Sequence, residues 1–321
     1  MRILVVGAGA IGGYFGGRLL EAKHDVTFLV RPRRAAELAE SGLNIRSRFG
    51  DVTIPGPPTV LAENLRETFD LVLLSVKAFD LESAIESFAP AVGANTAILP
   101  LLNGMHHLDI LDNRFGAARV LGGQCLIAVT VGTKGQIIHL NETHDMSFGE
   151  RDGAMSDRVQ TIATLMKTAR FNSRASTEIL QEMWQKWVFI AAAAGATCLM
   201  RASVGDICDA PGGTEFILGL LQECGSVSAA AGHPPREAML QRSREMLTKK
   251  GSELTASMMR DIERDAPIEA DHIIGDLIQR GQKADLPLLR TAYTHLKAYE
   301  NRRQRILSVL QAKLKSGANQ G

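Results

Sequence analysis

The sequence predicts an α/β fold, with a doubly wound parallel sheet in the N-terminal half and an all-helical C-terminal domain. In the first half, short β-branched runs alternate with helical segments, which is the order of a parallel sheet with crossover helices. Four runs, at residues 3–6, 26–30, 71–76 and 97–101, are apolar on both faces, as strands covered by helices on both sides must be. From Thr177 onward helical patterns dominate.

The remaining elements follow from turn residues and from helical periodicity. Two hairpin-like stretches, 44–55 and 126–139, contain glycine turns and predict additional antiparallel strands. A helix is expected at 11–22, and the C-terminal helices are expected at 178–200, 213–232, 236–249, 252–264, 268–282 and 288–313. A chain of 321 residues has room for two cores, and we place the domains at 1–171 and 172–321.

Composition excludes several classes of function. Lys and Arg number 36 against 35 Asp and Glu, for a net charge of +1, whereas a nucleic-acid-binding protein shows a basic excess or stripe. The longest apolar stretch, 187–200, would span roughly 20 Å as a helix, which is too short to cross a membrane. The four cysteines form no C-x-x-C pair, which favours reduced thiols in the cytoplasm. No His/Cys spacing indicates a metal site.

A glycine-rich turn joins the first predicted strand to the first predicted helix. Its G-x-G-x-x-G motif consists of Gly7, Ala8, Gly9, Ala10, Ile11 and Gly12. Gly7 permits a tight turn, Gly9 lets the backbone approach a pyrophosphate, and Gly12 lets the helix pack closely on the strand. A purely structural turn is the alternative, but the position between a strand and a helix is the one that dinucleotide binding requires.

The end of the second strand indicates which dinucleotide binds. An NAD enzyme usually places a carboxylate there, on the ribose 2′-hydroxyl. This chain instead has Arg31, followed by Pro32, Arg33 and Arg34. A guanidinium at that place suits the 2′-phosphate of NADPH, so we expect NADPH as the cofactor. Arg33 and Arg34 have a simpler alternative, as a solvated start of the next helix.

Four further residues are candidates for the chemistry. Lys77 and Asn103 directly follow two of the predicted parallel strands, whose carboxyl ends share one edge of the sheet with the glycine turn. Lys186 precedes a nearly pure apolar segment, and Glu269 opens a predicted helix. A lysine lying along an apolar surface and a carboxylate complementing a helix dipole are the alternatives for these two.

Taken in order, these residues resemble the ketopantoate reductases. The glycine motif, the run Ser75-Val76-Lys77-Ala78, Asn103-Gly104-Met105, Trp184-Gln185-Lys186, Ser257 and Glu269 occur at family-like spacings across nearly the whole chain. The resemblance implies a Rossmann-type N-terminal domain with a helical C-terminal domain. It also implies NADPH-dependent reduction of 2-dehydropantoate (ketopantoate) to pantoate, a step of pantothenate biosynthesis that leads to coenzyme A.

The resemblance also implies roles for individual residues. Lys186 matches the general acid that protonates the carbonyl oxygen, and Glu269 matches the glutamate that engages the substrate hydroxyl. Asn103 matches an asparagine near the nicotinamide and the substrate. Ser257 matches the serine that binds the substrate carboxylate, and Lys77 matches a lysine that contacts the cofactor.

The chain departs from the family pattern along the helix that carries Lys186. Ile190 and Ala194 stand where many members have asparagines, and residues four and eight positions apart share a helix face. We expect both to wall the substrate pocket. One interpretation is that the protein is a ketopantoate reductase in which another group, such as Thr197, binds the substrate hydroxyl.

A second reading is a paralogue that reduces a more apolar 2-oxo acid. The third is a non-catalytic NADPH-binding regulator, which would not need to retain Lys186, Glu269, Ser257 and Asn103. The expected partner is a small 2-oxo acid, with no nucleic acid and no membrane, and a homodimer is left open.

Overall fold

The computed structural model describes residues 1–281 and 284–318. By packing, the chain divides into two compact units, Met1–Met183 and Trp184–Gly321. This division lies C-terminal to the domain boundary that the sequence predicts after residue 171, which stays a prediction.

The first unit contains the strands. They are β1 (Arg2–Val6), β2 (Asp25–Leu29), β3 (Leu43–Arg46), β4 (Val52–Ile54), β5 (Thr59–Val60), β6 (Phe69–Leu74), β7 (Val92–Pro100), β8 (Gly122–Val131), β9 (Ile137–Gly149) and β10 (Asn172–Ala175). Five of them form a sheet in the order β5-β2-β1-β6-β7, and every pair in it is parallel. The predicted parallel sheet is therefore confirmed, with β1 at its centre.

The other strands form a second sheet. Both predicted hairpins are present, as the antiparallel pairs β3–β4 and β8–β9. Parallel pairing of β9 with β3 and with β10 joins them into one sheet. Because β10 pairs with β9, the strand content of the chain continues to Ala175, slightly beyond the predicted domain boundary.

The helices of the first unit connect and cover these strands. They are α1 (Ala10–Glu21), α2 (Pro32–Ser41), α3 (Leu81–Phe88), α4 (His106–Phe115) and α5 (Asp157–Met166). Ile3, Leu4 and Val5 of the central strand are fully buried, which explains why its sequence is apolar on both faces. Close packing of α1 on the sheet depends on Gly16, where a Cβ would lie 2.7 Å from the ring of Phe28.

All the regular secondary structure in the described part of the second unit is helical, as predicted. Its helices are α6 (Ile179–Met200), which begins in the first unit, α7 (Val204–Asp209), α8 (Gly213–Ala230), α9 (Glu237–Leu247), α10 (Ser257–Glu263), α11 (Asp276–Arg280) and α12 (Pro287–Ala318). A π-helical turn, Asp271–Gly275, precedes α11. Residue 282, the predicted end of the helix 268–282, lies outside the described residues. Within the described residues, no helix is long and apolar enough to cross a membrane.

Candidate active site

The glycine turn lies at the carboxyl end of the central strand β1. Gly7 has a φ of +92°, in the left-handed region that favours glycine. Its N–H donates a hydrogen bond to the carbonyl oxygen of Leu29, at 3.0 Å, which ties the turn to the end of β2. Helix α1 then begins beyond Gly9, its N-cap residue, which has no side chain that could bond to the first turn. The first N–H groups of a helix lack partners within the helix and favour an anion.

The turn forms a cradle whose tightness depends on Gly12. A Cβ at Gly12 would lie 2.1 Å from the Gly7 carbonyl oxygen and 2.2 Å from the Ser75 Oγ. That hydroxyl is itself fixed, because it donates to the carbonyl oxygens of Val6 and Gly7 at 3.1 and 3.3 Å. A Cβ at Gly9 would meet nothing within 4 Å. The cradle is therefore closed toward the sheet and open at Gly9, and it fits a dinucleotide pyrophosphate.

Arg31 follows β2 at the same edge of the sheet. It precedes Pro32, the first residue of α2, and its backbone is extended, with φ −76° and ψ 156°, as the residue before a proline prefers. The Arg31 side chain is 72% exposed, and its Nη2 lies 2.6 Å from Oδ1 of Asp80. Sequence reasoning did not single out Asp80, because the contact joins segments 49 residues apart.

The two arginines after Pro32 differ from each other. Arg33 is 92% exposed and pairs with Glu37. Arg34 is only 18% exposed and donates to the carbonyl oxygens of Ala8 and Gly135, each at 3.1 Å. Arg34 therefore holds the glycine turn and is not merely a solvated start of α2. Hydrogen bonds from Arg34 and then Arg33 lower the pKa of the Glu37 carboxyl.

Lys77 and Asn103 complete the set at this edge of the sheet. Lys77 follows β6 and stands at the start of a 3₁₀ turn, Ala78–Asp80. Asn103 follows β7, next to Gly104 with its φ of +77°. Both side chains are half-buried. Because β1, β2, β6 and β7 are parallel, the structure brings Gly7–Gly12, Arg31, Lys77 and Asn103 to one edge, where such sheets bind ligands.

The remaining candidates belong to the second unit. Lys186, Ile190 and Ala194 lie on the uninterrupted helix α6, so their predicted common face is retained. Lys186 and Ile190 are half-buried, whereas Ala194 is 2% exposed. Ser257, the first residue of α10, is exposed.

Glu269 lies just ahead of the π-helical turn and is only 7% exposed. Its carbonyl oxygen accepts from the N–H of Ile273 at 3.0 Å. π-Helical turns are rare and frequently occur at functional sites. A buried carboxylate beside such a turn is a stronger indication of function than the helix-dipole alternative, which would place Glu269 in solvent.

Thr197 links two of these elements. Its hydroxyl donates to the carbonyl oxygen of Ala193 at 2.7 Å and accepts from the N–H of Ala256 at 3.2 Å. Ala256 immediately precedes Ser257, and the Thr197 side chain is fully buried. Both hydrogen bonds are internal to the fold, so Thr197 holds α10 against α6. The structure gives no support to the expectation that it binds a substrate hydroxyl.

Other reactive side chains do not suggest a different chemistry. Among the described residues, no three His, Cys, Asp or Glu side chains are grouped so that they could hold a metal ion. Burial raises the pKa of the Cys198 thiol to about 12 and also raises that of Cys224. Both thiols are protonated at neutral pH and are poor nucleophiles.

Comparison with known proteins identifies the family of the chain. The profile "Ketopantoate reductase PanE/ApbA" matches residues 3–153, and "Ketopantoate reductase PanE/ApbA C terminal" matches residues 178–300. The chain belongs to the ketopantoate reductase family. Ketopantoate reductase family members are NAD(P)-dependent, so the chain is an oxidoreductase with a nicotinamide dinucleotide as its cofactor.

Individual relatives of this ketopantoate reductase family member cover almost its whole length. The "Uncharacterized oxidoreductase YkpB" of Bacillus subtilis strain 168 is 35% identical over 302 residues, covering 94% of this chain and 99% of the relative. The crystal structure of 2-dehydropantoate 2-reductase from Geobacter metallireducens GS-15 has a TM-score of 0.84 and 28% identity, covering 93% of this chain and 99% of its own.

A more distant structural relative shares the fold alone. The ternary structure of D-mandelate dehydrogenase with NADH and anilino(oxo)acetate has a TM-score of 0.85 at 19% identity, covering 95% of this chain and all of its own. The predicted fold of the ketopantoate reductase family is thereby confirmed.

Proposed function

We propose that the protein is an NADPH-dependent reductase of a small 2-oxo acid, with 2-dehydropantoate as the leading candidate substrate. The observation that carries the proposal is the glycine cradle at the end of β1, with Arg31 in place of a carboxylate after β2. In this proposal the product is pantoate, the precursor of pantothenate and coenzyme A. None of the four cysteines forms a disulfide, which suits a reaction in the cytoplasm.

The first unit supplies the residues that would hold the cofactor. Backbone N–H groups at the start of α1 would bind the pyrophosphate, and Arg31 would bind the 2′-phosphate. Lys77 and Asn103, at the ends of the neighbouring strands, are assigned to the cofactor and to the reacting end of the substrate. NADPH bound there would supply the hydride, a hydrogen nucleus with two electrons, that reduces the keto carbon.

The second unit supplies the proposed acid and the substrate ligands. Negative charge builds on the carbonyl oxygen as its carbon is reduced, and an ammonium group stabilises that charge and then donates the proton. We assign this role to Lys186, which is half-buried on α6. Ser257 is assigned to the substrate carboxylate, and Glu269 to the substrate hydroxyl.

The second candidate function is reduction of a more apolar 2-oxo acid. It is favoured by Ile190 and Ala194, which place hydrocarbon on the Lys186 face of α6 where amides are usual. The buried Glu269 favours a hydroxylated substrate instead. A non-catalytic regulator would need neither this carboxylate nor Lys186, so it is the weakest of the three candidates.

Steady-state turnover on a panel of 2-oxo acids with NADPH tests the proposal. We expect NADPH consumption to match the loss of the keto acid, with ketopantoate or its dehydroxylated analogue 2-oxo-3,3-dimethylbutanoate as the best substrate. The proposal would be contradicted if no 2-oxo acid were reduced with NADPH and no 2-hydroxy acid were oxidised with NADP⁺. That result would favour the non-catalytic regulator.

A further inference from the structure

Arg31 forms an ion pair with the Asp80 carboxylate, which is not part of the glycine motif. Its Nη2 lies 2.6 Å from Oδ1 of Asp80, and the two residues follow β2 and β6, the two strands that flank β1. The pair therefore spans the carboxyl end of the central strand, beside the glycine turn. Any 2′-phosphate that binds Arg31 meets a guanidinium that already has an anionic partner.

The Asp80 carboxylate does not cap the helix that follows it. Asp80 stands at the N-cap position of α3, yet its side chain makes no capping hydrogen bond. Aspartate at this position usually accepts from the N–H groups of the first helical turn. The Asp80 carboxylate pairs with Arg31 instead, so it binds the residue that follows β2 and does not stabilise the start of α3.

We propose that Asp80 determines cofactor specificity by competing with the 2′-phosphate for Arg31. This inference rests on the proposed use of NADPH. A phosphate dianion that contacts Arg31 must either displace the Asp80 carboxylate or bind on the other side of the guanidinium, where the carboxylate repels it. Both outcomes cost binding free energy. NADH has no 2′-phosphate and incurs neither cost. Asp80 therefore restrains the preference for NADPH that Arg31 creates.

The partial exposure of the pair makes such an exchange feasible. Arg31 is 72% exposed and Asp80 is 34% exposed, so water and salt reach both groups. An exposed ion pair contributes little to stability, and Arg31 can turn from one anion to another without disturbing the core. The effect of Asp80 on binding should also weaken as ionic strength rises.

The test is direct binding of NADPH and NADH by titration calorimetry, which needs no substrate. In Asp80→Asn we expect NADPH to bind about tenfold more tightly, the size of one charge–charge interaction at a partly solvated site. The affinity for NADH should change by less than about twofold, as for a surface substitution. The helix should persist, because the side chain caps nothing.

Two further variants decide the cause. Asp25→Asn is the matched control, because Asp25 pairs with Arg2 at the opposite end of β2, roughly 13 Å from the Arg31 end. This variant should leave the ratio of NADPH affinity to NADH affinity unchanged. In Arg31→Ala the ratio should fall, and adding Asp80→Asn to that variant should have little effect.

Three results would overturn the inference. Weaker NADPH binding in Asp80→Asn would mean that the carboxylate orients Arg31 for the phosphate. An equal effect of Asp80→Asn with and without Arg31 would exclude competition for the guanidinium. Failure of the wild type to bind either nucleotide would contradict the proposed function as well, whereas binding without turnover would contradict only the proposed function.

Discussion

The indole Nε1 of Trp187 donates a hydrogen bond to the carbonyl oxygen of Ile273, at 2.9 Å. Trp187 directly follows Lys186 on α6, and Ile273 lies in the π-helical turn that follows Glu269. Both partners are almost completely buried. This bond therefore holds the helix that carries Lys186 against the segment that carries Glu269.

Trp187→Phe should lower kcat while leaving NADPH affinity nearly unchanged. The substitution leaves a buried carbonyl oxygen without its donor, at a cost of about 1–3 kcal/mol, and loosens the π-helical turn. Trp184→Phe removes an equal volume from the same helix and is the control, with a smaller loss of kcat expected. Calorimetry with NADPH and steady-state kinetics check both variants. A parallel loss in the two would show that the hydrogen bond has no special role.

Lys186→Ala should reduce kcat by about 10²–10⁴-fold, the usual contribution of a general acid. NADPH binding should persist, because the glycine cradle belongs to the other unit. Lys249→Ala, which removes an exposed lysine of the second unit, is the control. Single-turnover rates and NADPH titration are the measurements. If Lys186→Ala turns over at a near-normal rate, another group donates the proton.

Gly12→Ala and Gly9→Ala should fail in different ways. At Gly12 the new Cβ meets the Gly7 carbonyl and the fixed Ser75 hydroxyl, so we expect the protein to lose about 1–3 kcal/mol of stability. At Gly9 it meets no protein atom within 4 Å, so stability should change by less than about 0.5 kcal/mol while NADPH binding weakens. Thermal unfolding and calorimetry separate the two effects. Unimpaired NADPH binding in Gly9→Ala would place the pyrophosphate elsewhere.

Much of this arrangement could be predicted from local sequence. The apolar strands and the glycine turn depend on residues that are close in the chain, so β1, α1 and the turn between them could be predicted. The joining of both hairpins into one sheet was not, because it depends on long-range pairing such as Ile45 with Ile137. The hydrogen bonds of Asp80 and Thr197 also escaped prediction, since each joins segments about 50 to 60 residues apart.

Arg34 shows the same limit at a single position. The local sequence Arg-Pro-Arg-Arg gives no reason to expect different environments for its last two arginines. In the structure, however, Arg33 is exposed, whereas Arg34 donates hydrogen bonds to the carbonyl oxygens of Ala8 and Gly135. Gly135 is 101 residues away in the chain. Helical periodicity likewise did not predict that the segment after Glu269 forms a π-helical turn.

Ile190→Asn should shift specificity toward ketopantoate. An amide beside Lys186 could pair with the 4-hydroxyl, and an unpaired buried hydroxyl costs about 1–3 kcal/mol. The kcat/KM ratio of ketopantoate to 2-oxo-3,3-dimethylbutanoate should therefore be small in the wild type and rise about tenfold in the variant. Ile190→Leu is the matched apolar control. A strong wild-type preference for ketopantoate would mean that the hydroxyl is well bound without the amides.

Acidification should destabilise the first unit through His144. Burial, and then the nearby charge of His139, lowers the pKa of His144, which contacts Tyr14 Oη through Nδ1 at 2.9 Å. The unfolded chain takes up this proton more readily, so stability falls as pH drops below about 6.5, the ordinary value for histidine.

The pH dependence of the thermal unfolding midpoint checks this expectation. Between pH 7.5 and 5.5, His144→Phe should lose less stability than the wild type, whatever its stability at neutral pH. His106→Asn, which removes a histidine that is 49% exposed, is the control. An unchanged slope in His144→Phe would assign the acid sensitivity to other groups.

The bonds of Arg34 matter for anyone who would redesign the coenzyme preference of this enzyme. One route to such a redesign is to replace the basic residues after the second strand as a block. Here that exchange would also remove the guanidinium that anchors Ala8, and with it a hydrogen bond that holds the glycine turn in place. Arg31 and Arg33 can be varied freely in a library, whereas position 34 should be held constant.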